Sequence, residues 1–125
     1  MEGTRSTIGL SARINTVYHS DCGIITCIKN SGMIPFIKTN LPQIALTYDS
    51  TNFVWGNTLN SWNKKKSAGG SSGGEGAAVG ARISPIGMGN DMLGSIRIPA
   101  AFNGLVGLLS SSGRLPAMGS ITYTY

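Results

Sequence analysis

Three serines set among glycines, Ser67, Ser71 and Ser72, are followed by a further serine, Ser95, flanked by Asp91 and Arg97. Glycine and serine alone would make a flexible linker. A linker has no use for Gly94-Ser95-Ile96-Arg97-Ile98-Pro99-Ala100-Ala101-Phe102, and these residues point to chemistry at a serine hydroxyl. Such a hydroxyl is a poor nucleophile until a base takes its proton. The one histidine, His19 in Tyr18-His19-Ser20-Asp21, sits just before a predicted helix and far in sequence from these serines, so it reads as a surface or capping residue. The base must then be a lysine kept neutral by burial, or a relay that ends at one.

Other chemistries fit poorly. The glycine cluster lacks the Lys-Ser/Thr ending of a phosphate loop, and Gly74-Glu75-Gly76 continues at the wrong spacing for a dinucleotide fingerprint. A single histidine with no cysteine cluster cannot build a metal centre, so neither a metal nor a cofactor is expected. Cys22 and Cys27 do not face each other on a helix and have no second pair beside them, which reads as a reducing compartment.

The chain of 125 residues is one domain's worth at most. Its 41% hydrophobic and 12% charged content resembles an interior cut from something larger. No apolar run reaches the ~18 residues of a membrane span, and Met1-Glu2-Gly3-Thr4-Arg5 does not open a signal peptide. Much of the net charge of +5 lies in Lys64-Lys65-Lys66, which reads as a solvated loop. Trp55 and Trp62 nearby leave a weaker polyanion-binding alternative open.

The positioning elements alternate between helix and strand. Ser20 or Asp21 can cap a helix with Ile24, Ile25 and Ile28 on one side, closed by Gly32. Met33-Ile34-Pro35-Phe36-Ile37 reads as a buried strand, and residues 41–66 as an irregular excursion with turns. A second helix begins at Ser72-Gly73-Gly74-Glu75, which matches a capping box with Glu75 reaching back to the Ser72 amide. Residues 83–89 suggest another strand. Pro99 suits the first turn of a short helix ended by Gly104; residues 105–109 read as a last apolar strand, and residues 121–125 alternate without an obvious partner.

Pro35-Phe36-Ile37-Lys38-Thr39-Asn40-Leu41-Pro42-Gln43, Tyr48-Asp49-Ser50-Thr51-Asn52 and Gly69-Gly70-Ser71-Ser72-Gly73-Gly74-Glu75-Gly76-Ala77 together resemble the amidase-signature family of serine hydrolases, closest to its fatty acid amide hydrolase branch. The likeness extends over residues 3–116 and is strongest from Gly69 to Gly107. It implies an α/β fragment of the amidase-signature fold, a mixed β-sheet core flanked by helices and incomplete at both ends. One partial domain would occupy residues 1–125, with its signature region over 67–107 and no separate second domain.

The resemblance also implies roles. Ser95 matches the nucleophile, Ser71 the cis-serine that relays the proton, and Ser72 the serine that supports the base. The amides of Met92, Leu93, Gly94 and Ser95 match the oxyanion hole, Asp91 and Arg97 brace its loop, and Ala45 and Tyr48 fall where the branch lines its acyl channel. Lys38 matches a family lysine other than the base. The catalytic lysine falls upstream of Met1, so this chain alone is expected to be nearly inactive. Leu93 replaces a family glycine, where a left-handed backbone would be strained, and Leu109-Ser110 replaces a Lys-Pro pair.

The resemblance implies an amide substrate, and its fatty acid amide hydrolase branch implies a lipid amide. Nucleic acid is not an expected partner. Membrane association would belong to elements outside these residues, leaving a cytoplasmic or membrane-associated location. A non-catalytic isoform acting as an interaction module is the alternative reading.

Overall fold

The structure, a computed structural model, describes residues 1–120. Helix α1 (Gly23–Asn30) buries Ile28 and half-buries Ile24 and Ile25, as their spacing on one face requires. Its cap differs from the expectation, because Cys22 holds the N-cap position without a side-chain bond. Asp21 is committed elsewhere: it accepts the Glu2 amide at 2.7 Å and the Lys29 ammonium at 2.5 Å. At the other end Gly32 is left-handed, with its amide on the Lys29 carbonyl and that of Met33 on Ile28. This paired closure satisfies carbonyls that the helix leaves open.

The excursion contains one small antiparallel ladder, β1 (Thr51–Asn52) with β2 (Gly56–Asn57). Thr51 lies opposite Asn57, and Asn52 opposite Gly56. Asn52 organises the turn: its Oδ1 accepts the amides of Val54 and Trp55 at 2.9 and 2.7 Å. Its Nδ2 donates to Asn40 Oδ1 and to the Leu41 carbonyl, each at 2.7 Å.

Helix α2 (Gly73–Gly80) starts where the sequence suggests, with Ser72 at its N-cap. The capping box does not form. Glu75 instead accepts the Thr39 hydroxyl at 2.6 Å and the Met88 amide at 2.9 Å. Two distant segments outcompete a local return bond, and the carboxylate fastens both to the helix. Helix α3 (Arg97–Phe102) includes Pro99 in its first turn and ends at Asn103, with Gly104 left-handed.

Asn103, fully buried, joins α3 to the chain before the serine cluster. Its Nδ2 donates to the carbonyls of Ala68 and Pro99, both at 2.9 Å. Its Oδ1 accepts the amide and hydroxyl of Ser61, both at 3.1 Å. Two donors and two acceptor sites are thereby all used.

The strands expected at 33–37, 83–89 and 105–109 are not formed. Ile34 is 84% exposed, Val106 100% and Leu108 80%. An apolar run becomes a strand only where a neighbouring backbone supplies ladder bonds, and among the described residues these runs lack one. The expected alternating segment 121–125 lies outside the described residues. Among the described residues the buried aliphatic side chains are Ile28, Ala68, Ala78 and Ala100, joined by the rings of Pro42 and Pro99, with α2 packed against α3. So small an apolar interior predicts that the isolated 125-residue chain melts broadly and binds a hydrophobic dye. Circular dichroism and dye fluorescence test this; a sharp cooperative melt of a dye-silent monomer would contradict it.

Candidate active site

The serines stand on turns at the starts of α2 and α3, held by backbone and carboxylate contacts. Gly70 allows the segment 47–49 to lie against the serine cluster: a Cβ there would fall 2.7 Å from the Thr47 carbonyl oxygen and 2.8 Å from the Asp49 nitrogen. The Gly70–Ser71 peptide bond is cis, and Ser71 is buried. Ser67 adds a support, donating its hydroxyl to Asp49 at 2.5 Å and accepting the Gly69 amide at 2.9 Å.

The second serine-bearing turn is built on Asp91. Its side chain is fully buried. It accepts the amides of Gly94 at 2.7 Å, Ile96 at 3.0 Å and Arg97 at 3.2 Å. The Arg97 guanidinium adds two bonds, at 3.0 and 2.9 Å. The hydrogen-bonded guanidinium, followed by the backbone amides, holds the Asp91 carboxyl well below the usual carboxylate range, against the opposing effect of burial. The same contact raises the Arg97 value.

The two turns meet directly. The Ser72 amide donates to the Ser95 carbonyl at 3.0 Å. This backbone bond joins the turn carrying Ser71 and Ser72 to the turn carrying Ser95. Among the described residues the hydroxyls of Ser71 and Ser95 make no hydrogen bond.

The positive φ falls at Gly94, +117°, where a Cβ would also strike Ile98. Leu93 is outside the left-handed region and its side chain is 64% exposed, so the expected strain at Leu93 does not arise. The Gly94 amide carries a single hydrogen, already committed to Asp91. The amides of Leu93 and Ser95 have no acceptor among the described residues.

Tyr48 lies within the segment 47–49 that meets Gly70, and Ala45 lies just before it. Ile44 and Ala45 adopt positive φ values of 50° and 57°, a sparsely populated conformation for non-glycine residues, and Tyr48 is 58% exposed. Lys38 is elsewhere: its ammonium donates to the Arg5 carbonyl at 2.6 Å, and burial lowers its pKa. His19 is exposed. Sequence reasoning missed Ser50, Asn52 and Asn103. The first two lie in the quoted Tyr48–Asn52 motif, where short polar side chains in an otherwise apolar context are the available signal.

The amidase family profile matches residues 1–125. The chain belongs to the amidase family. Fatty-acid amide hydrolase 1 of Sus scrofa is 44% identical over 94% of this chain and 20% of its own length. Acetamidase of Emericella nidulans is 43% identical over 93% of this chain and 21% of its own. A solved fatty acid amide hydrolase superposes with a TM-score of 0.79 at 36% identity, covering 82% of this chain and 18% of that one. The chain thus spans about a fifth of these relatives, and its α/β fold is that of amidase-signature enzymes. No helix among the described residues is long and apolar enough to cross a membrane.

The Asp91 cluster predicts the effect of Asp91→Asn in this amidase sequence. An amide nitrogen would face the donors of Ile96 and Arg97, so the change should destabilise the complete gene product by about 2–4 kcal/mol. Because the folded carboxyl titrates below its unfolded value, its stabilisation is full above about pH 5 and fades as pH falls through the depressed native value. Urea unfolding should show a constant wild-type–variant difference from about pH 5 to 8 that shrinks below about pH 4.

Proposed function

We propose that this segment supplies the nucleophile and proton relay of a carboxamide hydrolase. The observation that carries the reading is the Ser72 amide–Ser95 carbonyl bond at 3.0 Å, because it couples the relay segment to the nucleophile segment through rigid backbone. Ser95 Oγ attacks the amide carbonyl and passes its proton to Ser71 Oγ, whose own proton moves to a neutral lysine outside residues 1–125. The amides of Leu93 and Ser95 receive the developing oxyanion. As the C–N bond breaks, the proton returns through Ser71 to the leaving nitrogen. Water, deprotonated by the same relay, then attacks the Ser95 ester and releases the carboxylic acid.

Ser72 supports the relay, while Asp91 and Arg97 hold the anion-binding turn. A fatty acid amide is the substrate class favoured by the fatty-acid amide hydrolase relative, with Ala45 and Tyr48 on the acyl side. Residues 1–125 form one part of the catalytic domain in this reading. Lys29 and Lys38 are engaged by Asp21 and the Arg5 carbonyl, and Lys64, Lys65 and Lys66 are exposed where an ammonium stays charged, which supports a base from elsewhere.

A fluorophosphonate probe tests the assignment. The complete gene product should label at Ser95, and Ser95→Ala should abolish labelling. Ser71→Ala should slow it by about 10²–10⁴-fold. Labelling that survives in Ser95→Ala would overturn the nucleophile assignment. The purified 125-residue chain should label at least about 100-fold more slowly than the complete product; equal rates would overturn the need for an external lysine.

The exposed side chains of Ile34, Phe36, Val106 and Leu108 favour a second reading, in which this chain acts as an interaction module. It predicts a stable, stoichiometric complex with an intact amidase subunit in analytical ultracentrifugation. Migration of the two chains as separate species would reject it.

A further inference from the structure

Ser50 lies outside the catalytic groups assigned above, yet its fully buried side chain adjoins the relay segment on both sides. Its Oγ is 3.0 Å from the Gly69 carbonyl oxygen and 2.9 Å from that of Ser71, and it accepts the Gly73 amide at 2.8 Å. One hydroxyl proton can serve only one of the two carbonyls at a time, while an oxygen lone pair receives Gly73. The contact thus spans the residue before the Gly70–Ser71 pair, Ser71 itself and the first residue of α2. Space is equally restrictive: a Cβ on Gly73 would fall 2.4 Å from Ser50 Oγ.

Ser50 is itself anchored. Its carbonyl accepts the Thr58 amide at 3.0 Å and the Asn40 Nδ2 at 3.3 Å. Asn40 in turn accepts the Gly74 amide through its own carbonyl at 3.0 Å. The hydroxyl is therefore part of a hydrogen-bonded frame that includes the start of α2.

We propose that Ser50 is a positioning residue for proton delivery, holding the Ser71 backbone so that its hydroxyl can serve both Ser95 and the departing nitrogen. The proposal rests on the relay role assigned to Ser71. Its consequence depends on the leaving group. An amide nitrogen must be protonated as the C–N bond breaks, whereas an activated aryl ester expels a stable aryloxide without that proton. Misplacing Ser71 should therefore penalise amides more than matched esters, and should act mainly on kcat because the Ser50 hydroxyl bonds only the backbone of Gly69, Ser71 and Gly73.

The test compares Ser50→Ala, Ser50→Thr and Ser50→Cys in the complete gene product, using an aryl amide and an aryl ester with the same acyl group. Ser50→Ala should lower kcat for the amide by about tenfold or more, part of the usual general acid–base contribution. The ester also uses the relay to activate Ser95 and water, so it should slow as well but by at least about threefold less than the amide, and KM should stay nearly constant for both. Ser50→Thr restores the hydroxyl and should recover amide turnover relative to ester. Equal losses on amide and ester, or an unchanged amide kcat, would overturn the proposal.

Circular dichroism establishes whether Ser50→Ala folds. Should it not, Ser50→Cys carries the decision, since a thiol of similar size is a weaker donor and acceptor. It should retain the selective amide loss, and an unselective loss would overturn the proposal. Ser71→Ala separates this inference from the relay reading. If Ser71→Ala lacks the selective amide loss, the relay fails; if Ser71→Ala has it and the folded Ser50 variants do not, only the Ser50 assignment fails.

Discussion

The buried Asn103 amide is the contact on which the arrangement of helices and serine turns depends. It ties Pro99 of α3 to Ala68, just before the serine cluster, and holds Ser61 on its other side. Each of its hydrogen-bonding sites is filled. That matters because a buried amide with an unmet donor or acceptor costs about 1–3 kcal/mol. The Trp62 indole also donates to the Asn103 carbonyl at 2.8 Å, and Asn60 donates to Phe102 at 2.7 Å. The end of α3 is thereby gripped by the loop that precedes the serine cluster.

This polar pin compensates for a small apolar interior. The buried side chains include Ser50, Asn52, Asn60 and Asn103, alongside only a few aliphatic groups. Directional bonds specify loop geometry more tightly than apolar contact, which is indifferent to orientation. Asp91 applies the same principle at the other turn, collecting several donors around one buried carboxylate. Glu75 extends it by fastening residues 39 and 88 to α2. The site is consequently a set of backbone amides and hydroxyls held by side chains behind them.

Much of this was legible at the level of helices and motifs. The start of α2 at Ser72, the short helix containing Pro99 and its end at Gly104 all follow from local backbone preferences. The amidase resemblance brought the serine segments together because several motifs, separated along the chain, agreed. Strand assignments at 33–37, 83–89 and 105–109 failed for a definite reason. Apolar composition states a preference for burial but does not supply the neighbouring strand that a ladder requires. The capping box failed differently: Glu75 had the right local spacing, but Thr39 and Met88 offered better-placed donors from afar.

The sequence by itself determined the family and the approximate limits of the helices, since these depend on residue identity and short-range spacing. Tertiary structure alone decided that Ser72 meets Ser95 through a backbone bond, that Gly94 rather than Leu93 takes the positive φ, and that the Gly94 amide is spent on Asp91. It also decided that Ser50 and Asn103 stand behind the serine turns. Those outcomes depend on which donors and acceptors are brought within about 3 Å, and proximity between distant segments is a property of the folded chain.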